Sequence, residues 1–230
     1  MFLFLSACGG GSSSLTSLDT SSTGVLAAMP TDEVCTPEGS LLDCAIEHNG
    51  LDRRFKIYEP SKLSPNVALP VLFNFHGYGS NADQQLIYGD FRGLADEEAF
   101  ILVVPQGSLL EGTTHWNSDS EFTSKSTADD LGFVSRMIDE LETRYNIDNT
   151  KVYAAGMSNG GAMSLYLACS LSDQITAVAS VTGFMSADLI SNCGAIDPTS
   201  VILIHGTADS VVSWELSLIH ISEPTRRWSI

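Results

Sequence analysis

Basic residues are scarce in this chain: 11 Lys or Arg stand against 28 Asp or Glu among 230 residues, for a formal net charge of −17. No basic run occurs anywhere. That excludes a phosphate-tracking surface, because nucleic-acid binding draws on clustered Lys and Arg to release counterions. Acidity on this scale suits a soluble exported protein and names no substrate. Long apolar runs are missing too. Phe2-Leu3-Phe4-Leu5 is the N-terminal one, and it falls far short of the ~20 residues that span a bilayer. Internal repeats are absent, which excludes solenoids and propellers. What is present is globular in composition: 43% hydrophobic and 17% charged residues, enough for one domain with a substantial core.

Cysteine is sparse but placed informatively. Leu5-Ser6-Ala7-Cys8, followed by Gly9-Gly10-Gly11-Ser12-Ser13-Ser14, resembles a bacterial lipobox, in which the chain is cut before Cys8 and that Cys is lipidated. Residues 1–8 are then a lipoprotein signal remnant, and residues 9–34, rich in Ser, Thr and Gly, a tether. The chain is expected to be exported, periplasmic or at the cell surface, and to meet a membrane only through that lipid. Cys35, Cys44, Cys169 and Cys193 remain. An even remainder in an exported protein points to two disulfides, with three connectivities possible. The local pairs Cys35–Cys44 and Cys169–Cys193 are favoured; four reduced, buried thiols are the alternative.

Residues 35–215 read as an α/β domain. Strands are expected over Leu41–Ile46 and Phe55–Tyr58, around the hairpin-like turn His48-Asn49-Gly50. Further strands are expected at Leu69–Phe75, Phe100–Val104, Val152–Ala155, Ile175–Val181 and Val201–Ile204. Short continuous apolar runs of this kind suit a parallel sheet buried on both faces. Helical stretches lie between them at Gln84–Ala99, Asp130–Tyr145 and Gly160–Cys169; Phe133, Met137, Ile138 and Leu141 fall on one face of the second. Alternating strands and helices predict a three-layer αβα sandwich with a mainly parallel sheet.

Gly156-Met157-Ser158-Asn159-Gly160 fits Gly-x-Ser-x-Gly. The pattern alone is weak in a chain with 19 Gly, so its setting matters: a strand precedes it and a helix follows. In that setting the Ser is held in a strained turn, small neighbours avoid clashes, and the hydroxyl projects beside the helix N-terminus, whose free N–H groups favour a developing oxyanion. Ser158 is the candidate nucleophile; a Gly-rich helix start without chemistry is the alternative. His76-Gly77-Tyr78-Gly79-Ser80 follows a buried strand and precedes a helix. The backbone N–H of Tyr78, with that of Asn159, forms a candidate oxyanion hole, against the alternative of an ordinary Gly turn. Asp209, after the strand ending at Ile204, is the candidate acid in the order Ser, Asp, His; a turn-capping Asp is the alternative.

The base is harder to place. His48, His76 and His115 precede Ser158, and His205 lies four residues before Asp209 at the end of the same strand, where it reads as structural. Only His220 has the right order. It falls inside Leu216–Arg226, LSLIHISEPTR, which matches the translation of a transposon mosaic-end adapter used to build sequencing libraries. Residues 216–230 are therefore expected to be read-through, and His220 is set aside. Removing Arg226, Arg227 and Glu223 makes the net charge one unit more negative, so the acidity is native. The chain as written is expected to lack its catalytic His, with a final strand and helix, and to be close to inactive.

Together these residues resemble the secreted esterase family of poly(3-hydroxybutyrate) depolymerases and feruloyl/acetylxylan esterases. The matching stretches are Leu72–Ser80, Val104-Pro105-Gln106-Gly107, His115-Trp116-Asn117, Asp129–Val134, Val152–Met163 and His205–Val212. The resemblance implies an α/β-hydrolase fold, Ser158 as nucleophile, Asp209 as acid, a His further downstream, and no metal or organic cofactor. It implies hydrolysis of a polymeric or plant-derived carboxylic ester through an acyl-enzyme. A peptidase or thioesterase on the same fold, or a non-catalytic polymer-binding surface lipoprotein, are the rival expectations.

Overall fold

A computed structural model of the chain describes residues 34–63, 66–120 and 123–214. The expected lipidation site Cys8, the signal remnant, nearly all of the tether, and the 216–230 tail with His220 lie outside the described residues.

The chain opens with β1 (Val34–Glu38), β2 (Leu41–His48) and β3 (Leu51–Tyr58), paired antiparallel. Asn49 and Gly50 both take positive φ, 51° and 77°, as a two-residue hairpin matching the strands' twist requires. The expected strands here are real but longer at the hairpin, and β1 was not foreseen. Cys35 lies directly opposite Cys44, and the two form a disulfide.

Next come β4 (Leu69–Phe75), α1 (Ala82–Tyr88), α2 (Arg92–Glu98) and β5 (Ile101–Pro105). The single helix expected over Gln84–Ala99 is two. The physical reason is Asn74, buried in β4. Its Nδ2–H donates to the Gly89 carbonyl at 2.9 Å, so that carbonyl turns inward instead of continuing a helix. A hairpin of β6 (Ser108–Leu110) and β7 (Thr113–His115) follows, then α3 (Asp130–Arg144), β8 (Ile147–Met157), α4 (Asn159–Ser170), β9 (Ala177–Val181), α5 (Ala187–Ser191) and β10 (Ser200–Ile204). The Cys169–Cys193 disulfide joins the last turn of α4 to the segment after α5.

The main sheet runs β1-β2-β3-β5-β4-β8-β9-β10, with β5, β4, β8, β9 and β10 mutually parallel. Strand alternation divides its side chains between two cores. Val71, Phe73, Phe75, Ile101 and Val103 join Phe133 and Met137 of α3 and Met163 of α4, whereas Leu102 and Val104 join Ala82 and Leu86 of α1 and Ala95 of α2. Helices thus cover both faces, giving the three-layer α/β-hydrolase sandwich. The chain leaves β4 toward β5 on one side and β8 toward β9 on the other, so the strand order reverses between β4 and β8. The crevice beyond the carboxyl ends at such a reversal is where open α/β sheets place their ligands. No helix among the described residues is long and apolar enough to cross a membrane.

Candidate active site

Ser158 stands at that crevice, between the end of β8 and the start of α4, with φ 55° and ψ −118°. A non-glycine residue there is strained and persists only where its surroundings hold it. They do: its N–H donates to the Val181 carbonyl at 2.8 Å, fastening the turn to β9. Its hydroxyl makes no capping bond to the helix that it starts. Gly160 packs so tightly on β4 that a Cβ there would overlap the Phe75 and His76 carbonyl oxygens, and one on Gly156 would overlap Gly160. The two glycines of the motif therefore allow strand and helix to meet at this angle.

A pocket of about 340 Å³ opens at the serine, lined by Tyr78, Ser120, Ser158, Asn159, Phe184, Val211 and Val212. Three residues singled out in the sequence therefore share one cavity. Gly77 lies against Ser158, since a Cβ on it would sit 3.6 Å from the Ser158 Cβ. Two residues on, the Gly79 N–H donates to the Thr114 carbonyl at 2.8 Å, and Thr114 Oγ1 donates to the Ser80 carbonyl, so the β6–β7 hairpin pins this loop. Among the described residues, the Tyr78 and Asn159 N–H groups have no acceptor. Asn159 is the first residue of α4, where helical N–H groups have no partner in the helix.

Asp209 does not line the pocket, but Val211 and Val212 do, and both donate their N–H groups to its Oδ1, at 2.9 and 3.0 Å. Those bonds, Val211 first and then Val212, hold the carboxyl below its ordinary range. Oδ2 accepts no hydrogen bond from a described residue; His205 Nε2 stands 3.9 Å from it. That nitrogen lies 2.8 Å from the Val212 carbonyl, to which it donates, while the ring packs on Trp214. The His205 Nε2 is thereby taken up by the Val212 carbonyl.

The other described histidines are also occupied. His76 is fully buried; Nδ1–H donates to the Gly77 carbonyl at 2.8 Å and Nε2 accepts the Gly107 N–H at 2.9 Å. Burial pushes its ring below the ordinary imidazole range, against the opposing pull of the Gly77 carbonyl. His115 bridges the Ser108 carbonyl and the Ser126 hydroxyl, and His48 meets Asp129 on the surface. None of the four lines the pocket. No group of three or more His, Cys, Asp or Glu among the described residues is placed to hold a metal ion.

Ser120, Phe184, Val211 and Val212 escaped sequence reasoning. Phe184 and the two valines follow the carboxyl ends of β9 and β10, a position readable once the reversal point is known. Ser120 carries no local signal.

The family model described as putative esterase matches residues 47–219. Among curated relatives, a bifunctional acetylxylan esterase/xylanase of Neocallimastix patriciarum is 31% identical over 72% of this chain and 23% of its own length. Feruloyl esterase D of Neurospora crassa is 29% identical over 72% of this chain and 56% of its own. The chain thus spans from about a quarter to just over half the length of these relatives. Among solved structures, a thermostable esterase superposes with a TM-score of 0.65 at 19% identity, over 79% of this chain and 50% of that one, a likeness in fold. With three quarters of its length matched by that family model, the chain belongs to the putative esterase family.

Proposed function

We propose that the protein hydrolyses carboxylic esters through an acyl-enzyme on Ser158. One observation carries the reading. A strained serine, its hydroxyl unspent on the helix it caps, shares a pocket with two residues whose backbone N–H groups lack acceptors among the described residues. Ser158 Oγ attacks the ester carbonyl, and the Tyr78 and Asn159 N–H groups receive the oxyanion as it forms. The alcohol leaves, and water attacks the acyl-serine and releases the acid. A histidine outside the described residues takes the serine proton and returns it to the leaving oxygen. Asp209 orients that histidine: its Oδ1 is fixed by two N–H groups, and its Oδ2 is left to accept the imidazole N–H. The names of the relatives support acetyl or feruloyl esters of polysaccharide as substrates, and a polyhydroxyalkanoate ester fits the same chemistry.

The test is turnover of butyrate esters, methyl ferulate, acetylated xylan and a peptide anilide, with labelling by a fluorophosphonate. Ester cleavage and labelling are expected in the native, full-length parent protein, and the chain as written is expected to stay close to inactive. Ser158→Ala is expected to lose both, with kcat down roughly 10⁶-fold, as for removal of a hydrolase serine. Ester turnover that survives Ser158→Ala refutes the mechanism, and preference for the anilide refutes the substrate class.

A further inference from the structure

The mechanism above makes no use of His115-Trp116-Asn117, although every residue of the triplet is anchored. Trp116 is fully buried, and its three polar groups all bond to Asn159 or His76. Its backbone N–H donates to Asn159 Oδ1 at 2.7 Å, and its carbonyl accepts from Asn159 Nδ2 at 3.0 Å. Its indole Nε1–H donates to the His76 carbonyl at 3.0 Å. Asn159 carries one proposed oxyanion donor, and His76 stands two residues before Tyr78, which carries the other.

We infer that Trp116 is a positioning residue that sets the separation of the Tyr78 and Asn159 N–H groups. The inference rests on the esterase reading of Ser158. It follows from how little freedom the strut has. Flipping the Asn159 amide would set N–H against N–H and oxygen against oxygen at Trp116, so the side chain has one orientation; its Nδ2 also reaches Ser118 Oγ at 3.3 Å. The Phe75 ring meets the indole edge-on with centroids 5.1 Å apart. On the far side, the Asn117 N–H donates to Asp130 Oδ2 at 2.7 Å and Asn117 Nδ2–H to the Ala128 carbonyl at 2.8 Å. His115 is held by Ser108 and Ser126. The strut is thus tied to β6 and to the start of α3, while its other end bonds the Asn159 side chain and the His76 carbonyl, two residues before Tyr78. Two of the three bonds come from the main chain of residue 116; the indole bond to the His76 carbonyl is the one that requires tryptophan.

The magnitude follows from the tolerance of such sites. Loss of one oxyanion donor costs about 10²–10³ in kcat, and a displacement of about 1 Å costs about 10²-fold. Loosening one end of the strut shifts a donor without removing it, so a fall of roughly 10- to 100-fold is expected. Substrate binding does not depend on the oxyanion geometry, so KM should stay within about twofold.

The test compares the native protein with Trp116→Phe, which keeps an aromatic ring and removes the indole N–H. A replacement of Trp116 by benzothienylalanine, equal in shape and lacking the N–H, serves if the phenylalanine variant does not fold. Active sites are counted with a fluorophosphonate, so that kcat is expressed per competent serine. The expected result is kcat per site down 10- to 100-fold, KM nearly unchanged, and a trifluoromethyl ketone weakened by the same factor as kcat. If fewer serines are labelled but kcat per labelled site stays within twofold of native, Trp116 only supports the fold and the inference is overturned. Equal losses in KM and kcat/KM with kcat unchanged overturn it as well. A native protein whose Ser158 takes no fluorophosphonate refutes the esterase reading itself, and the inference falls with it.

Discussion

Replacing Asp130 with Asn is expected to be among the most damaging single changes of charge in this protein. The carboxylate is fully buried; Oδ1 accepts from Arg53 Nη2 at 2.6 Å and Oδ2 from the Asn117 N–H at 2.7 Å. Arg53 is 4% exposed, lies 4.0 Å above the centre of the Phe133 ring, and has its other terminal nitrogen without a partner among the described residues. An asparagine can satisfy only one of the two donors with its oxygen and must turn its amide nitrogen on the other. It also leaves the guanidinium charge in a dry site. Removing one partner of a buried ion pair costs about 3–5 kcal/mol, and each bond to a charged group accounts for about 1.5–3 of that. The cation–π contact with Phe133 survives, so the lower half of the range applies, about 3–4 kcal/mol. For a chain of this length that is a fall in Tm of roughly 6–16 °C. Urea unfolding followed by circular dichroism measures the free energy, and a thermal melt the Tm. Arg53→Met with Asp130→Leu removes both charges and should cost well under the sum of the two single changes. The reasoning is refuted if Asp130→Asn costs less than about 1 kcal/mol, a surface-like value, or if the paired change is additive.

Two further outcomes follow from the same coordinates. Gly160→Ala should destabilise by about 3 kcal/mol, the upper end for overpacking, because its Cβ would strike backbone oxygens that cannot swing aside; Gly93→Ala, in α2 with open space around it, should instead stabilise by about 0.5–1 kcal/mol. Urea midpoints moving in the same direction for both would refute the contrast. The Asp90 carboxyl is pulled down to about 2, first by the Arg92 side chain and further by the Arg92 N–H. Its folded pKa lies below its unfolded one, so its contribution to stability is complete above the ordinary carboxylate range and is lost as pH falls through about 2. Carboxyl-carbon NMR should find that midpoint, and Arg92→Ala should return it toward the ordinary value; a midpoint indifferent to Arg92 would refute the assignment.

Much of the fold was legible because β4 and β5 are largely apolar runs that are buried along most of their length. Leu69–Phe75 was bounded correctly to the residue and β5 to one residue, whereas β8 begins five residues before the expected Val152, in a polar and exposed stretch. Tertiary contacts decided the rest. The break at Gly89 depends on Asn74, fifteen residues away in sequence, and no local pattern carries that information. The β6–β7 hairpin has strands of three residues, too short for a period to register; only Glu111 and Gly112, both at positive φ, mark its turn. At the site, Ser158 was legible because a strained serine between strand and helix needs glycine on both sides, and those glycines are in the sequence. Ser120 and Trp116 were not, because their places are set by hydrogen bonds to groups about 40 residues away or by a cavity that exists only when β9 and β10 are in place.

The pocket lining has a consequence for how such a protein changes. Ser158 and Asn159 belong to one rigid junction of strand and helix, tied across the sheet by the Val181 carbonyl and by Trp116. Phe184, Val211 and Val212 come from separate loops that follow β9 and β10. The walls that meet a ligand are therefore inherited on different segments from the groups that would react with it. Substitutions at Phe184 or Val211 can reshape the cavity while the junction stays as it is, so new ligands are open to the fold through loop variation alone.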